Sequence, residues 1–218
     1  MSNHLPSSLP HDKHPRLDKM PARIAQSLRR PMIDEVEVRE LAEQFGEPAR
    51  RTFVIQADEY IYSYRWRKDL DRRAEVVFAI QDPSERIWLH AKPHYPAHIF
   101  RLPSGGVHWD EDVEGALWRE VSEETGLMVQ VECFLGLIEY RFQHHESIVS
   151  FASYVFHLSS SGGWPKPNED ETISEFRALR LSQIGQISVD LRNLIGNRRG
   201  WGQWRALAHD LVVEHLTK

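Results

Sequence analysis

The segment "REVSEETG", Arg119 to Gly126, sets Glu120, Glu123 and Glu124 within one and a half turns of an expected helix that a glycine closes. The helix should begin near Asp110 or Glu111, after the turn "SGGVHW", where Glu111, Asp112 and Glu114 suit the positive end of its dipole. At about 100° per residue, Val113, Ala116, Leu117 and Val121 form one apolar stripe. Glu120 and Glu124 fall inside that stripe and Glu123 at its edge, whereas a merely solvated acidic helix would carry them opposite. Acids in a last turn oppose the dipole by about 0.3–1 kcal/mol each, and carboxylates about 5 Å apart repel by roughly 3 kcal/mol at an effective dielectric near 20. Arg119 can pair with Glu123 at i,i+4, but one cation does not neutralise three anions. Positive charge is missing. Clustered carboxylates without histidine or thiolate beside them favour a hard divalent ion, magnesium or manganese, over zinc.

The flanking residues extend the pattern. Gly105, five residues, Glu111, seven residues and then "REVSEETGL" resemble the Nudix box, whose closing part reads R-E-U-x-E-E-x-G-U with U a bulky aliphatic. Gly105, Glu111, Arg119, Glu120, Val121, Glu123, Glu124, Gly126 and Leu127 fit it without a gap. Ser104 stands where the lead-in commonly has another glycine. The resemblance covers about residues 73–185 and implies an α/β (α+β) fold, a mixed β-sheet sandwiched between helices. It implies that Glu120, Glu123 and Glu124 are metal ligands, that Arg119 orients them and that Glu111 supports the loop-helix-loop. Gly105 would let the backbone approach the metal closely. The implied reaction is hydrolysis of a pyrophosphate bond in a nucleoside diphosphate linked to another group. Water attacks phosphorus at a Mg2+ or Mn2+ site, with positioning and electrostatics carrying most of the acceleration.

The general base is not fixed by the box. "PNEDETISEF" offers Glu169, Asp170 and Glu171 on a loop before a late strand, and Glu171 is the chosen candidate; the plain alternative is loop solubility. Arg101, on a strand before the glycine turn, would point near the site and contact phosphate. His144 and His145 fall in a hairpin turn and should be exposed, not metal ligands. Trp201 and Trp204, near Arg198 and Arg199, are read as anchors of a packed helix rather than a base-stacking platform. Cys133, the single cysteine, reads as a buried structural thiol and excludes an internal disulfide. Two subfamily patterns are lacking. The proline that ADP-ribose hydrolases carry beyond the box has no counterpart between Gly126 and Gly163, and "WPKP" at Trp164 to Pro167 comes too late for the NADH-pyrophosphatase motif.

Around these residues the chain offers the elements that must place them. "DEVEVRELAEQFGEP" reads as an amphipathic helix with Val36, Leu41, Ala42 and Phe45 to one side. "RRTFVIQADEYIYSYRW" reads as one or two strands and "AEVVFAI…RIWLHAK" as a hairpin. "HIFRLPSGG" reads as a strand entering a turn. "VQVECFLGLIEYRF" and "SIVSFASYVFHL" are further strands, and "GQWRALAHDLVVEHL" is a packed C-terminal helix. The expected division is a basic, proline-rich tail over 1–31, an N-terminal helix and strand extension over 32–72, and a hydrolase domain over 73–218.

The chain has 218 residues, 41% hydrophobic and 27% charged, with a net charge of −5, so nothing draws it to nucleic acid or anionic membrane. No apolar run reaches the roughly 18 residues of a membrane span, and the N-terminus lacks a secretory h-region. A cytoplasmic enzyme with a small nucleotide-type substrate is expected, with a homodimer left open because the extensions offer an interface. The alternative is a nucleotide-sensing regulator whose N-terminal segment binds DNA. Its recognition helix would have to be "ARRTFVIQADEY", which reads better as strand.

Overall fold

Along residues 76–80 both alternating sets of side chains are apolar, and in the computed structural model of the chain both are buried. A strand covered on both faces belongs at the middle of a sheet with helices on each side. The structure describes residues 32–67 and 71–217; the tail expected over 1–31 lies outside them.

The elements follow as α1 (Glu35–Phe45), β1 (Ala49–Gln56), α2 (Glu59–Arg65), β2 (Arg72–Gln81), β3 (Arg86–Ala91), β4 (Ser104–His108) and α3 (Val113–Thr125). Then come β5 (Val129–His144), β6 (Ser147–Ser160), β7 (Glu175–Arg180), α4 (Leu181–Arg192) and, after a single 3-10 turn, α5 (Arg199–Leu216). Among the described residues the strands form one sheet in the order β1-β5-β6-β2-β3-β7, with β4 also paired to β2. The pairs β1/β5 and β2/β6 are parallel and the others antiparallel, so the sheet is mixed.

Two apolar cores lie on the two faces. Ala74, Val76, Phe78 and Ile80 of β2 pack with Val38 and Leu41 of α1 and with Val113, Ala116, Leu117 and Val121 of α3. Val77 and Ala79 face the other way, toward Ile61 of α2, Ile184 and Leu191 of α4, and Trp204 and Leu211 of α5. The expected sandwich is what forms.

Several expectations change in detail. "ADEYIYSYRW" does not continue the strand. Asp58 accepts a hydrogen bond from Ile61 N at 2.8 Å and starts α2, whose Ile61 is buried in the core. A capping side chain and one well-packed apolar residue outweigh the β preference of the rest. The same carboxylate accepts from Trp201 N at 3.1 Å, so Asp58 ties α2 to the first turn of α5. The segment that a recognition helix would need is therefore strand β1 followed by a cap, and a helix-turn-helix does not form there. "SGGVH" is not a turn but strand β4. The box helix begins at Val113, capped by Asp112, rather than at Asp110 or Glu111. In α1 it is Val38 and Leu41 that are buried, while Val36 is exposed. Helix α4 carried no expectation. Cys133 is half-buried rather than buried. No helix of the described residues is long and apolar enough to cross a membrane.

Candidate active site

Helix α3 is held at both ends before any acid is considered. At its start Asp112 accepts from Gly115 N at 2.6 Å, and Glu37 of α1 accepts from Val113 N at 2.8 Å. At its end Gly126 takes the left-handed conformation at φ 58°, and its N–H returns to Val121 O and Ser122 O. The loop after β6 completes the cap, with Lys166 N donating to Thr125 O at 2.7 Å and Asn168 N to Glu123 O at 2.8 Å.

A helix so fixed turns Glu120 and Glu124 onto strand β4. Glu124 Oε2 accepts from Ser104 N at 3.1 Å. The Glu120 carboxylate fills the space a side chain on Gly105 would need, since a Cβ there would lie 1.7 Å from Glu120 Cδ. Both glutamates are buried, whereas the Glu123 side chain is 37% exposed. Gly105 thus serves from within a strand, by having no side chain, and not from a loop.

One guanidinium gathers the other acids. Arg119 binds Glu111 through Nε (2.8 Å) and Nη2 (2.9 Å), Glu120 and Glu123 through Nη1 (2.8 and 3.0 Å), and Gly106 O through Nη2 (2.7 Å). Glu111 also accepts from His108 N at 3.2 Å. Burial alone would raise the Glu111 carboxyl, yet the bonds from Arg119 and His108 hold it below the usual range.

The second cation was not visible in the sequence. Lys92, just past β3, places Nζ 2.8 Å from Glu124 Oε1 and 3.1 Å from Glu171 Oε2. The missing charge is therefore partly supplied by the chain itself, a correction to the count based on Arg119 alone. Glu171 is drawn to the box through this lysine, while Glu169 and Asp170 stay exposed. No local spacing could have announced Lys92, because only the β3–β7 pairing and the loop pinned to α3 bring the three groups together.

Even with these cations, burial makes the Glu120 and Glu124 carboxylates costly to ionise. Burial pushes Glu124 up to about 7 against the pull of Lys92 and Arg101, and burial raises Glu120 against the pull of Arg119. Buried carboxylates raised in this way, with oxygen donors only, fit a hard divalent ion. Among the described residues no three His, Cys, Asp or Glu groups already converge as a ready-made cage, for Glu123 is turned to Arg119.

A cavity of about 180 Å³ opens beside this array. Lys92, Arg72, Arg101, Ser104 and Gly105 edge it toward the box, and Tyr60, Tyr95 and Trp201 wall the far side. Arg101 does come near the site, but as a buried group. Its Nη1 donates to Ser104 Oγ (2.6 Å) and Leu102 O (2.9 Å), and its Nε donates to the Tyr95 hydroxyl. Ser104 thus gives Arg101 an oxygen that a glycine would lack. Trp201 and Trp204 are buried helix anchors as expected, yet both also line the cavity. His145 is exposed at the β5–β6 turn, while His144 stacks on Tyr62 at 4.0 Å and is half-buried.

The model of the NUDIX domain family matches residues 70–198. An ADP-ribose pyrophosphatase of Methanocaldococcus jannaschii is 33% identical over 129 residues, which are 59% of this chain and 74% of that protein. Among solved structures, a MutT protein from Methanosarcina mazei Go1 is 18% identical at a TM-score of 0.46, covering 66% of this chain and 95% of its own. A NUDIX hydrolase from Nitrosomonas europaea is 20% identical at a TM-score of 0.42, covering 53% and 77%.

Proposed function

The chain belongs to the NUDIX domain family, a pyrophosphate-hydrolysing enzyme by that membership, and from this we propose how its own residues divide the work. The substrate is a nucleoside diphosphate joined to a second group, and ADP-ribose is the first compound to try because the relative in Methanocaldococcus jannaschii is named for it. Glu120, Glu123 and Glu124 hold magnesium or manganese beside Gly105. When bound, the ion supplies charge for the phosphate oxygens and the leaving group and acidifies a water.

The chain does the rest by position. Arg119 fixes the carboxylates through four hydrogen bonds and is tied to Gly106 O by a fifth, and Glu111 fixes Arg119. Lys92 keeps Glu124 and Glu171 within one cation's reach, so Glu171 stands where it can take a proton from the attacking water. Arg101 contacts phosphate at the cavity edge. The reading places the enzyme in the cytoplasm and leaves room for a homodimer through the N-terminal extension, and the net charge of −5 gives no general pull toward nucleic acid. The regulator reading has no observation in its favour.

The observation that carries the proposal is the pair of carboxylates laid on Ser104 and Gly105, which burial makes costly to ionise despite the cations near them. The test is AMP release from ADP-ribose and a nucleoside-diphosphate panel with magnesium or manganese. Glu124→Gln should lower kcat by about 100-fold or more, and Glu171→Gln by a similar factor if it is the base. A wild-type rate in folded Glu124→Gln would overturn the site assignment.

A further inference from the structure

Four guanidinium groups surround the cavity beside the box. Arg72, Arg101 and Arg205 line it, and Arg65 stands behind Phe151 with Cζ 3.6 Å from the ring centroid. Their carboxylate partners are few. Arg205 Nη1 binds both oxygens of Glu75, at 2.9 and 2.7 Å. Arg72 leans on Asp71, which is mostly exposed. Arg101 donates only to neutral oxygens, those of Tyr95, Leu102 and Ser104. Arg65 is 3% exposed, and its Nε and Nη1 have no hydrogen-bond partner. Lys92 is already divided between Glu124 and Glu171. Among the described residues Glu75 is then the one carboxylate in the cavity wall.

A buried guanidinium without an anion is costly, and replacing it by an apolar side chain is often harmless or stabilising. Burial draws Arg65 down to about 10 against the pull of Tyr64 and Glu75, with Arg205 and Arg72 pressing in the same direction as burial. The Phe151 ring and the charge of Glu75 offset part of that cost, and an anion entering the cavity would offset more. The scissile diphosphate is not the obvious candidate for this role, because Glu75 of β2 turns to the face of the sheet where Arg205 of α5 binds it, whereas Glu120 meets β4 at Gly105 from the α3 side. A cavity of about 180 Å³ is near the size of the roughly 150 Å³ cavity that holds one benzene, so it admits one compact group and not a nucleoside.

We propose that this cavity is a second anion site, which takes a phosphate carried by one of the two groups that the scissile diphosphate joins. The preferred substrates are then phosphorylated conjugates of a nucleoside diphosphate, held by Arg72, Arg101 and Arg205, with Arg65 acting through its charge from behind Phe151. This substrate preference rests on the hydrolytic reading of the box, but the anion site itself can be tested without it.

Titration calorimetry of inorganic phosphate into the metal-free protein should show one saturable site. Binding should weaken at least tenfold in Arg72→Gln and in Arg65→Met, each checked for a wild-type circular dichroism spectrum. If Arg65→Met does not fold, Arg72, whose side chain is 30% exposed, decides. With the divalent ion present, kcat/KM should favour ADP-ribose 2′-phosphate over ADP-ribose, or coenzyme A over its dephosphorylated form, by at least tenfold. That ratio should fall toward one in Arg72→Gln. Absent phosphate binding, or binding unchanged in both variants, overturns the proposal. So does an equal loss on both members of each pair, since the arginines would then serve the scissile linkage. If phosphate binds as expected but no diphosphate is hydrolysed, the hydrolytic reading fails and the anion site stands.

Discussion

At position 105 the side chain matters by its absence, because Glu120 occupies the volume a methyl group would take. The nearest distance, 1.7 Å, is far inside any van der Waals contact, and β4 is clamped between β2 and α3, so the strand cannot retreat. Gly105→Ala should therefore swing the Glu120 carboxylate off Arg119 Nη1 and cost about 1–3 kcal/mol of stability as an overpacked site. Activity should fall by about 100-fold or more while the protein stays folded. Chemical denaturation and a rate assay on the same preparation check both, and a rate within threefold of wild type would show that Glu120 can reseat. At this scale the sequence was most informative where spacing is local. Glu120, Glu124, Arg119 and Glu111 could be placed because one helix and its lead-in set their relations. Lys92 could not, since it reaches Glu124 across 32 positions of chain and only tertiary pairing defines the contact.

The elements are coupled by ion pairs that no periodicity predicts. Arg73 lies where the pairing of β2 with β4 shifts register, between Arg72 and Ala74, and its Nη2 binds both oxygens of Glu37 at 2.9 Å and Glu111 O at 3.0 Å. Through Glu37 the same group reaches Val113 N, so α1, β2 and the start of the box helix meet at one buried pair. Removing one partner leaves a buried charge and a helix N–H unsatisfied. Glu37→Ala should thus cost about 3–5 kcal/mol, whereas Glu37→Met with Arg73→Met should cost much less. Urea unfolding of the two variants decides; equal losses would mean that packing, not charge, holds α1. The extension before the box is accordingly integral to the site's rigidity, and β1 on the sheet edge adds to that. The strands were legible because alternating or doubly apolar runs leave few other structures. Helix α2 was not, because its aromatic run favours strand locally and only the Asp58 cap and the burial of Ile61 reverse it. The glycines of β4 misled in the same way, reading as a turn when they make room for Glu120 and Arg72.

Over the whole molecule, the sheet and the α5 layer bury titratable groups that make stability depend on pH. His209 of α5 is fully enclosed; its Nε2 accepts from Leu102 N at 3.0 Å, which leaves the proton on Nδ1, facing Arg205 O at 2.9 Å. Protonating Nε2 would break the bond that anchors the chain just before β4. Burial accordingly takes His209 down to about 4, while in the unfolded chain it titrates near 6.5. A depressed histidine means that the unfolded state takes up the proton first. The stabilisation is complete above about 6.5 and is lost as pH falls toward 4. From pH 7.5 to pH 5 the loss should be about 2 kcal/mol. His90, buried and held well below its usual value, acts with the same sign. Glu124, raised by burial to about 7, acts oppositely in the metal-free protein, since its contribution is present at low pH and lost as pH rises toward 7. The wild-type curve is therefore a partial cancellation, and a variant isolates the histidine. In His209→Gln the stability difference between pH 7.5 and pH 5, from urea midpoints with chelator present, should shift by about 2 kcal/mol toward greater relative stability at pH 5. An unchanged difference would mean that His209 accepts a proton within the folded protein, and that the Leu102 contact does not depend on its neutral form.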